Sequence, residues 1–426
     1  MDTSNPSEKK MDLYNKAPIP PSQRPYRWVM LSLLCLLYVA FGLVARALSP
    51  LVTPIVKDLR LSYTQMGFIL GSWQLTYIIV SIIAGTIIDK WGIRKSLLAG
   101  TAVIGLSSAL RYFPEGFGGM LGAVCLFGVG GSMISIGGPK AISIWFEGRS
   151  RGTAIGVFLT GAWTGGILAL ALTHSIVMPL TGNSWRYTFL IFGVFTFAVG
   201  LLWWLFAKDT ESSVSTDDLN AMDVFGRLFR VRQVQIVMAL GLLTFATLHG
   251  FTNWLPKILE AHDLTPALAG FTASLPLLVG IPSILVVPRL VPPEWRGRFL
   301  CCSALGILVA LILAVTTSGS VQLAALVLFG VIISPFVPVL VLILMDIPEV
   351  GSTYMGSAGG MFYCVAEIGG FTGPLIMGAL VDITGGFLAG VLFFAVLCLV
   401  YAVLTLYLKT SPAMESQETH KGAKCS

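Results

Sequence analysis

Long apolar runs dominate the pattern of hydrophobic and polar positions along the chain, and short polar intervals separate them. A transmembrane helix needs about 20 consecutive, mostly apolar residues to cross ~30 Å of hydrocarbon. The runs are continuous and do not alternate between polar and apolar positions, so they predict helices and not the strands of a barrel. The pattern therefore predicts an all-α membrane protein with twelve transmembrane helices. The twelve runs are 28–56, 64–88, 96–112, 117–145, 152–174, 187–207, 233–256, 266–288, 299–317, 320–345, 352–381 and 385–408.

The longest internal polar stretch, residues 208–232, divides these runs into two groups of six. Two sequence matches relate the groups to each other. LSYTQMGF at 61–68 aligns with LTPALAGF at 264–271, an offset of 203 residues. GTAIGVFLTGAWTGG at 152–166 aligns with GSAGGMFYCVAEIGG at 356–370, an offset of 204 residues. Two matches at nearly one offset predict two pseudo-symmetric six-helix bundles, and repeated bundles of this kind place a substrate at their interface.

The runs and the polar stretches together predict five parts of the chain. They are a cytoplasmic N-terminal tail (1–27), an N-terminal bundle (28–207), a cytoplasmic linker (208–232), a C-terminal bundle (233–408) and a cytoplasmic C-terminal tail (409–426).

Composition and charge support a membrane location. Hydrophobic residues make up 55% of the chain and charged residues 11%, with a mean hydropathy of +0.83, whereas a soluble domain carries about 25% charged residues. With the N-terminus inside, 20 of the 27 Lys and Arg residues fall in cytoplasmic segments. This asymmetry predicts a plasma (inner) membrane protein with both termini cytoplasmic, and it explains the net charge of +6 without a nucleic-acid partner. The five cations expected outside are Lys57, Arg60, Arg111, Arg186 and Lys257.

The polar loop between the second and third runs reads G-x-x-x-D-K-x-G-x-R-K. Gly85 allows two helices to approach closely, and Gly92 permits a tight turn. Asp89 is placed to accept hydrogen bonds from Arg94 or from the N-terminus of a neighbouring helix. Arg94 and Lys95 can anchor the loop to anionic lipid. We interpret the loop as a conformational latch, and a simple topology signal is the alternative.

This loop resembles the signature loop of the major facilitator superfamily, and with the twelve spans and the repeat the resemblance covers nearly the whole chain. It implies a transporter that works by alternating access, without a cofactor, and we expect a monomer. The equivalent loop of the second half, PRLVPPEWRGRF, keeps Arg298 but has Pro292 where Asp89 would map. A second latch of the same chemistry is therefore not expected.

Two further segments are similar to branches of that superfamily that move small anions. GGPKAISIWFEGRSRGTAIGV at 137–157 and TNWLPKILEAHDLTPALAGF at 252–271 resemble cyanate- and nitrate-type carriers. The position of a cationic residue in the first apolar run is similar to that in anion:cation symporters. The chain has no P-loop, nucleophile elbow, HExxH motif or GxGxxG fingerprint, so the sequence predicts neither an enzyme nor an ATP-driven pump. The cysteines show no metal-ligand spacing.

Two basic residues lie at matching positions of the two halves. An ionisable side chain near the membrane centre costs at least ~2.5–3.5 kcal/mol, so it faces a cavity or a partner. Arg46 in the first run can bind an anion through two parallel hydrogen bonds, and the structural alternative is a fixed contact with Glu367 or with a carbonyl group. His249 stands 203 residues later and, with Asn253 on the same stripe, is a second candidate anion ligand. His249 is also a candidate proton carrier, or else a neutral core histidine.

Two other ionisable residues lie within the runs. Glu367, close to the middle of the eleventh run, is a candidate for the coupling proton or a structural partner of Arg46. Lys140, near the inner interface, is a candidate inner gate or a topology signal. Further candidates for lining a substrate cavity are Gln74, Tyr77, Trp163 and Tyr363.

These observations predict a secondary active transporter of a small organic or inorganic anion, driven by proton-coupled symport or by exchange. The partners expected are the anionic substrate, protons and the lipid bilayer. The first alternative is a proton-coupled exporter of drugs or lipophilic compounds, in which an aromatic cavity binds the cargo and Glu367 titrates. The second is a membrane sensor that binds a ligand without transporting it.

Overall fold

The computed structural model describes residues 25–208, 226–351 and 354–408. Twelve helices, α1 to α12, account for most of these residues, and no strand occurs among them. The predicted tails and most of the predicted linker lie outside the described residues. The helices are α1 (Tyr26–Asp58), α2 (Tyr63–Trp91), α3 (Ile93–Leu110), α4 (Phe117–Trp145), α5 (Gly148–Leu172), α6 (Trp185–Phe206), α7 (Arg232–Glu260), α8 (Pro266–Leu290), α9 (Arg296–Thr316), α10 (Gly319–Asp346), α11 (Met355–Thr384) and α12 (Leu388–Thr405).

Eleven helices in the described part of the chain are long and apolar enough to cross a membrane. The remaining one, α3, has 18 residues but begins with Arg94 and Lys95 and contains several serines, which lower its hydropathy. It packs between α4 and α6 as a member of the same bundle. Each predicted run therefore corresponds to one helix, and the predicted fold class is confirmed.

The helices form two bundles, α1–α6 and α7–α12. Within the described residues, the main contacts between the bundles are those of α1 with α7, α2 with α11 and α5 with α8. Each helix of the first bundle corresponds to the helix six places later in the second. By this correspondence α2 matches α8 and α5 matches α11, so the α2–α11 contact is equivalent to the α5–α8 contact, and α1 is equivalent to its own partner α7. The contacts between the halves thus follow the repeat that the sequence predicts.

Helix α1 is interrupted near its middle. Its first segment, Tyr26–Arg46, ends before a short 3-10 turn at Ser49–Leu51, and a second helical segment, Val52–Asp58, follows. Pro50 and Pro54 have no backbone N–H and cannot continue the hydrogen-bond ladder. The interruption leaves carbonyl groups in the last turn of the first segment without intrahelical donors.

The α2–α11 contact between the two bundles is tight at one end of the described helices, which we call the closed end; there α1 ends at Asp58 and α7 at Glu260. A Cβ built on Gly67 of α2 would overlap the carbonyl of Pro374 in α11, so the two backbones are in contact there. Gly378 of α11 packs in the same way against the backbone at Tyr63.

At the opposite end of the same two helices, which we call the open end, the halves diverge. Among the described residues, no atom lies within 4 Å of a Cβ built on Gly85 of α2 or on Gly356 of α11. The prediction that Gly85 supports a close helix contact is therefore wrong for this conformation. We call the space that opens between α2 and α11 toward this end the chamber.

Candidate functional site

Arg46 lies where the first segment of α1 ends, at the inner limit of the closed end. Its stem packs against Gly166 of α5, where a side chain would collide with the Arg46 Cγ atom. Its Nη1 atom donates hydrogen bonds to Thr252 Oγ1 at 2.9 Å and to Asn253 Oδ1 at 2.6 Å. Both acceptors belong to α7, so Arg46 connects the two halves of the molecule.

No acidic side chain neutralises Arg46. Among the described residues, no carboxylate oxygen lies within 4.0 Å of its guanidinium group. The alternative of a fixed ion pair with Glu367 is therefore wrong. Nε and Nη2 make no hydrogen bond with the described residues, and the side chain is only partly buried. An anion in the chamber can therefore reach free donors of a cation that lacks a counter-charge.

His249 lies on α7 one helical turn before Asn253 and close enough to Arg46 for two positive charges to repel each other. Its ring packs against Trp73, with 6.3 Å between ring centroids, and against Phe245, with 5.4 Å. The ring nitrogens make no hydrogen bond with the described part of the chain. The structure thus brings together the two basic residues that the repeat places at matching positions.

A second polar cluster lies further from the closed end. The hydroxyl groups of Tyr38 in α1 and Tyr77 in α2 both interact with Ser135 of α4. Tyr363 and Glu367 of α11 are close enough to these tyrosines to influence them electrostatically. Tyr363 is 42% exposed, as expected for a ring that faces a chamber. The cluster therefore combines side chains from both halves.

Glu367 is 7% exposed, and its Oε2 atom has no hydrogen-bond partner. Gln74 of α2 is fully buried nearby, and its Nε2 atom donates to the Gly370 carbonyl at 3.4 Å while its Oε1 atom has no partner. A Cβ built on Gly370 would lie 2.9 Å from Glu367 Oε2 and 3.3 Å from Gln74 Nε2. Two unpaired oxygen atoms from opposite halves are thus buried around the same glycine.

Trp163 lies away from this polar cluster. Its ring fills the space in front of Gly280, where α5 meets α8. The structure therefore places Trp163 in the contact between the two halves, beside the chamber.

In the predicted latch at the open end, the partner of Asp89 differs from the one expected. Asp89 forms an ion pair with Lys140 of α4, and not with Arg94. Arg94 donates to the carbonyl of Trp204 in α6 at 2.6 Å and lies over that indole ring, 4.6 Å from its centroid. Gly92 has a φ of +80°, which favours glycine, and Lys95 is exposed. The Asp89–Arg94 pair was thus a wrong prediction, and Asp89 and Lys140 form one unit within the N-terminal half.

The C-terminal half contains a related ion pair with the charges reversed. Arg296 at the start of α9 pairs with Asp346 at the end of α10. In the N-terminal half the acid lies in the last turn of α2 and the base on α4, whereas here the base begins α9 and the acid ends α10. The sequence argument against a second latch of the same chemistry missed this reversed pair because it considered only acids in the loop.

Side chains at the closed end form a set of contacts that the sequence did not indicate. Ser49 donates to the carbonyl of Asn253, and Thr53 donates to Glu260. Asp382 of α11 accepts hydrogen bonds from the backbone N–H groups of Tyr63 at 3.0 Å and Thr64 at 2.7 Å. Asp382 therefore caps the N-terminus of α2 from the opposite half, which stabilises its charge.

Arg111, one of the cations assigned to the outer side, follows the last residue of α3. It is 1% exposed within the N-terminal bundle. Its position at a helix end does not reveal this burial, which only packing shows.

Comparison with known proteins places these features in a family. A sequence model described as Major Facilitator Superfamily matches residues 34–366, which extend from α1 into α11. The chain is 25% identical over 357 residues to the hexuronate transporter of Bacillus subtilis, covering 78% of this chain and 83% of that protein. It is 24% identical over 431 residues to a probable sulfoacetate transporter of Cupriavidus necator, covering 93% and 97%.

A putative tartrate transporter of Agrobacterium vitis is 26% identical over 398 residues, which are 86% of each chain. Among solved structures, a bacterial homologue of the human lysosomal transporter Spinster, in an inward-facing and unoccupied conformation, superimposes with a TM-score of 0.75 at 16% identity. The superposition covers 91% of this chain and 99% of that structure. At this identity the likeness concerns the fold.

Proposed function

The chain belongs to the Major Facilitator Superfamily, whose members are membrane transporters and not enzymes, and on this basis we propose that it is a secondary active transporter of a small organic anion. The carrier works as a monomer in the plasma membrane. The substrate binds in the chamber between the halves, and the closed and open ends exchange roles during transport.

The observation that supports an anionic substrate best is the unneutralised guanidinium group of Arg46. A cation at this depth faces a partner or a water-filled cavity, and the described residues supply no carboxylate within 4.0 Å. The free Nε and Nη2 atoms match the two oxygens of a carboxylate or sulfonate. Relatives of this chain are named as transporters of hexuronate, sulfoacetate and tartrate. Each of these compounds carries a carboxylate or sulfonate group, which supports the same substrate class here.

The surroundings of Arg46 favour a small polar substrate over a large apolar one. Asn253 and Thr252 hold Nη1, which orients the remaining donors toward the chamber. His249 offers a second polar contact beside the same position. Tyr77 and Tyr363 lie further along the chamber and can contact the remainder of the substrate.

Orientation follows from the distribution of cations. With both termini cytoplasmic, the open end faces the cytoplasm and the closed end faces outward. The conformation described here is then the inward-open state. Substrate leaves or enters on the cytoplasmic side in this state, and the outward-open state requires separation of the closed-end contacts.

We further propose that Glu367 binds the coupling proton. Burying a carboxylate without a partner costs several kcal/mol, so this environment favours the neutral acid. A protonated Glu367 also carries an O–H group, which can donate a hydrogen bond to the unpaired Oε1 atom of Gln74. Protonation therefore favours contact between the two halves, and release of the proton weakens it.

Uptake into proteoliposomes tests the anion assignment. A panel containing a hexuronate, tartrate, sulfoacetate, a neutral hexose and a hydrophobic cation should give saturable uptake of one or more anions only. Arg46→Ala should reduce that uptake about 30-fold or more, because loss of one partner of a buried charge pair costs about 2–5 kcal/mol. Arg46→Lys should retain part of it, since the charge remains but the paired donors are lost.

Arg289→Ala is the matched control, because Arg289 is an exposed arginine at the end of α8. It should transport the anion at the wild-type rate. Uptake that persists undiminished in Arg46→Ala would contradict an anion site at this residue. Selective extrusion of the hydrophobic cation, lost in Glu367→Gln, would instead favour an exporter of lipophilic compounds.

A further inference from the structure

Arg111 occupies a junction of four helices in the N-terminal bundle. Its Nη1 atom donates to the carbonyl of Val44 in α1 at 3.1 Å, and its Nη2 atom donates to Ser107 Oγ in α3 at 3.3 Å. Ser107 in turn donates to the carbonyl of Ala123 in α4 at 2.7 Å. The guanidinium group also lies 5.4 Å from the ring centroid of Phe189 in α6. One side chain therefore fixes α1 relative to α3, α4 and α6.

The contact with Val44 falls at a specific place in α1. Val44 lies two residues before Arg46, in the last turn of the segment Tyr26–Arg46. Carbonyl groups in a last turn lack their usual intrahelical donors, and the 3-10 turn that begins at Ser49 does not continue the ladder of the first segment. Arg111 supplies the missing donor from another helix. The orientation of the turn that carries Arg46 thus depends on a side chain outside α1.

The charge of Arg111 is compensated without an acidic residue. Within the described ranges no carboxylate lies within 4.0 Å of it. The C-terminal ends of two helical segments, Tyr26–Arg46 and α3, meet at its guanidinium group, and both carry partial negative charge. The face of the Phe189 ring adds to this. Arg111 is 1% exposed, so it is walled off from the chamber and does not contact substrate.

We propose that Arg111 is a positioning residue for Arg46. By holding the Val44 carbonyl it fixes the last turn of the first α1 segment, and that turn sets the direction of the Arg46 guanidinium group toward the chamber. A small misplacement of a binding group weakens binding strongly. This inference rests on the proposed function, in which Arg46 binds the substrate anion.

Arg186 provides a matched control. It also donates to a backbone carbonyl, that of Pro114 at 3.1 Å, and its guanidinium group lies 4.2 Å from the Trp185 ring centroid. It pairs with Asp58, which belongs to α1 beyond the interruption. Arg186 thus makes the same kinds of contact without holding the turn that carries Arg46.

The test compares Arg111→Met, Arg111→Gln and Arg186→Met in anion uptake, with KM and Vmax measured separately and normalised to folded protein. Arg111→Met removes the donors and should raise KM about tenfold, with Vmax changed less than about twofold. Arg111→Gln keeps an amide donor but is two bonds shorter than arginine, so its KM should rise less than that of Arg111→Met. Arg186→Met should keep the wild-type KM.

A wild-type KM in Arg111→Met, or a loss confined to Vmax or to the amount of folded protein, would overturn the proposal. If Arg111→Met does not accumulate in the membrane, Arg111→Lys replaces it. Its shorter donor geometry should raise KM at least about threefold, and an unchanged KM would again overturn the proposal. Arg46→Ala in the same assay separates the two claims. Normal uptake in that variant contradicts the anion site itself, whereas impaired uptake with unaffected Arg111 variants contradicts only the positioning role.

Discussion

At the scale of single residues, two arginines within the N-terminal half differ in burial and in hydrogen bonding. Arg111 is 1% exposed, donates to the Val44 carbonyl and the Ser107 hydroxyl, and lies against the Phe189 ring. Arg46 has only two neutral acceptors and retains free donors in a partly exposed position. This difference in burial is why we propose a structural role for Arg111 and a binding role for Arg46. The positions of the two residues in the sequence do not reveal it.

Glu367→Gln tests the coupling proposal at this scale. A pH gradient of one unit should drive about tenfold accumulation of the anion for each coupled proton, because one unit is worth 1.36 kcal/mol. Glutamine has nearly the same shape but cannot release a proton, so the variant should lose accumulation driven by the gradient. Exchange of internal for external anion should continue. Both are measured in proteoliposomes with radiolabelled substrate.

Glu294→Gln, the same substitution at an exposed glutamate, should keep gradient-driven accumulation. Accumulation that survives in Glu367→Gln would show that another group carries the proton, and His249 would be the next candidate.

At the scale of helices, the interface between α1 and α5 depends on glycine. A Cβ built on Gly165 of α5 would overlap the Val39 carbonyl of α1, and Gly42 of α1 meets Ala162 in the same way. This close approach brings the Arg46 stem against Gly166. The small residues therefore fix the distance between the helix that carries the site and its support.

Gly165→Ala should destabilise the protein by about 1–3 kcal/mol, because the added methyl group has no space. Gly152→Ala lies in the same helix, where no atom of the described residues is within 4 Å of the new Cβ. It should leave stability unchanged or raise it by up to about 1 kcal/mol through higher helix propensity. Thermal unfolding in detergent compares the two variants. Equal melting temperatures would contradict the packing argument.

The sequence predicted the helices more completely than the contacts of the site. Apolar runs determine where helices cross a bilayer, so all twelve were identified. The offset between the halves placed His249 beside Arg46 because repeated bundles have equivalent positions. The partner of Asp89 was missed because Lys140 is distant in sequence and reaches it only through packing of α4 on α2. The buried location of Arg111 was missed for the same reason, since a residue at a helix end can face water or the bundle.

At the scale of the whole molecule, the two halves are joined at the closed end by side chains and by direct backbone packing. Asp382 contributes a charged contact that crosses from α11 to the N-terminus of α2. Arg46, Ser49 and Thr53 add contacts from α1 to α7. Opening this end requires all of them to separate together, because each half moves as a unit.

Asp382→Ala should therefore weaken the closed end as a whole. We expect faster hydrogen exchange both at the start of α2 and in residues 252–260 of α7, measured by mass spectrometry. Asp58→Ala is the control, since Asp58 makes its contacts with Trp185 and Arg186 within one half. Faster exchange confined to the first turn of α2 would contradict a coupled closure.

The two ion pairs at the open end have a consequence for the response to membrane voltage. Asp89 pairs with Lys140 and Arg296 pairs with Asp346, each pair inside its own half and with the polarity reversed between halves. Rocking of the halves therefore displaces equal amounts of positive and negative charge at these positions. In the proposed cycle these two pairs therefore contribute little to the electrical work that the membrane potential does on the protein.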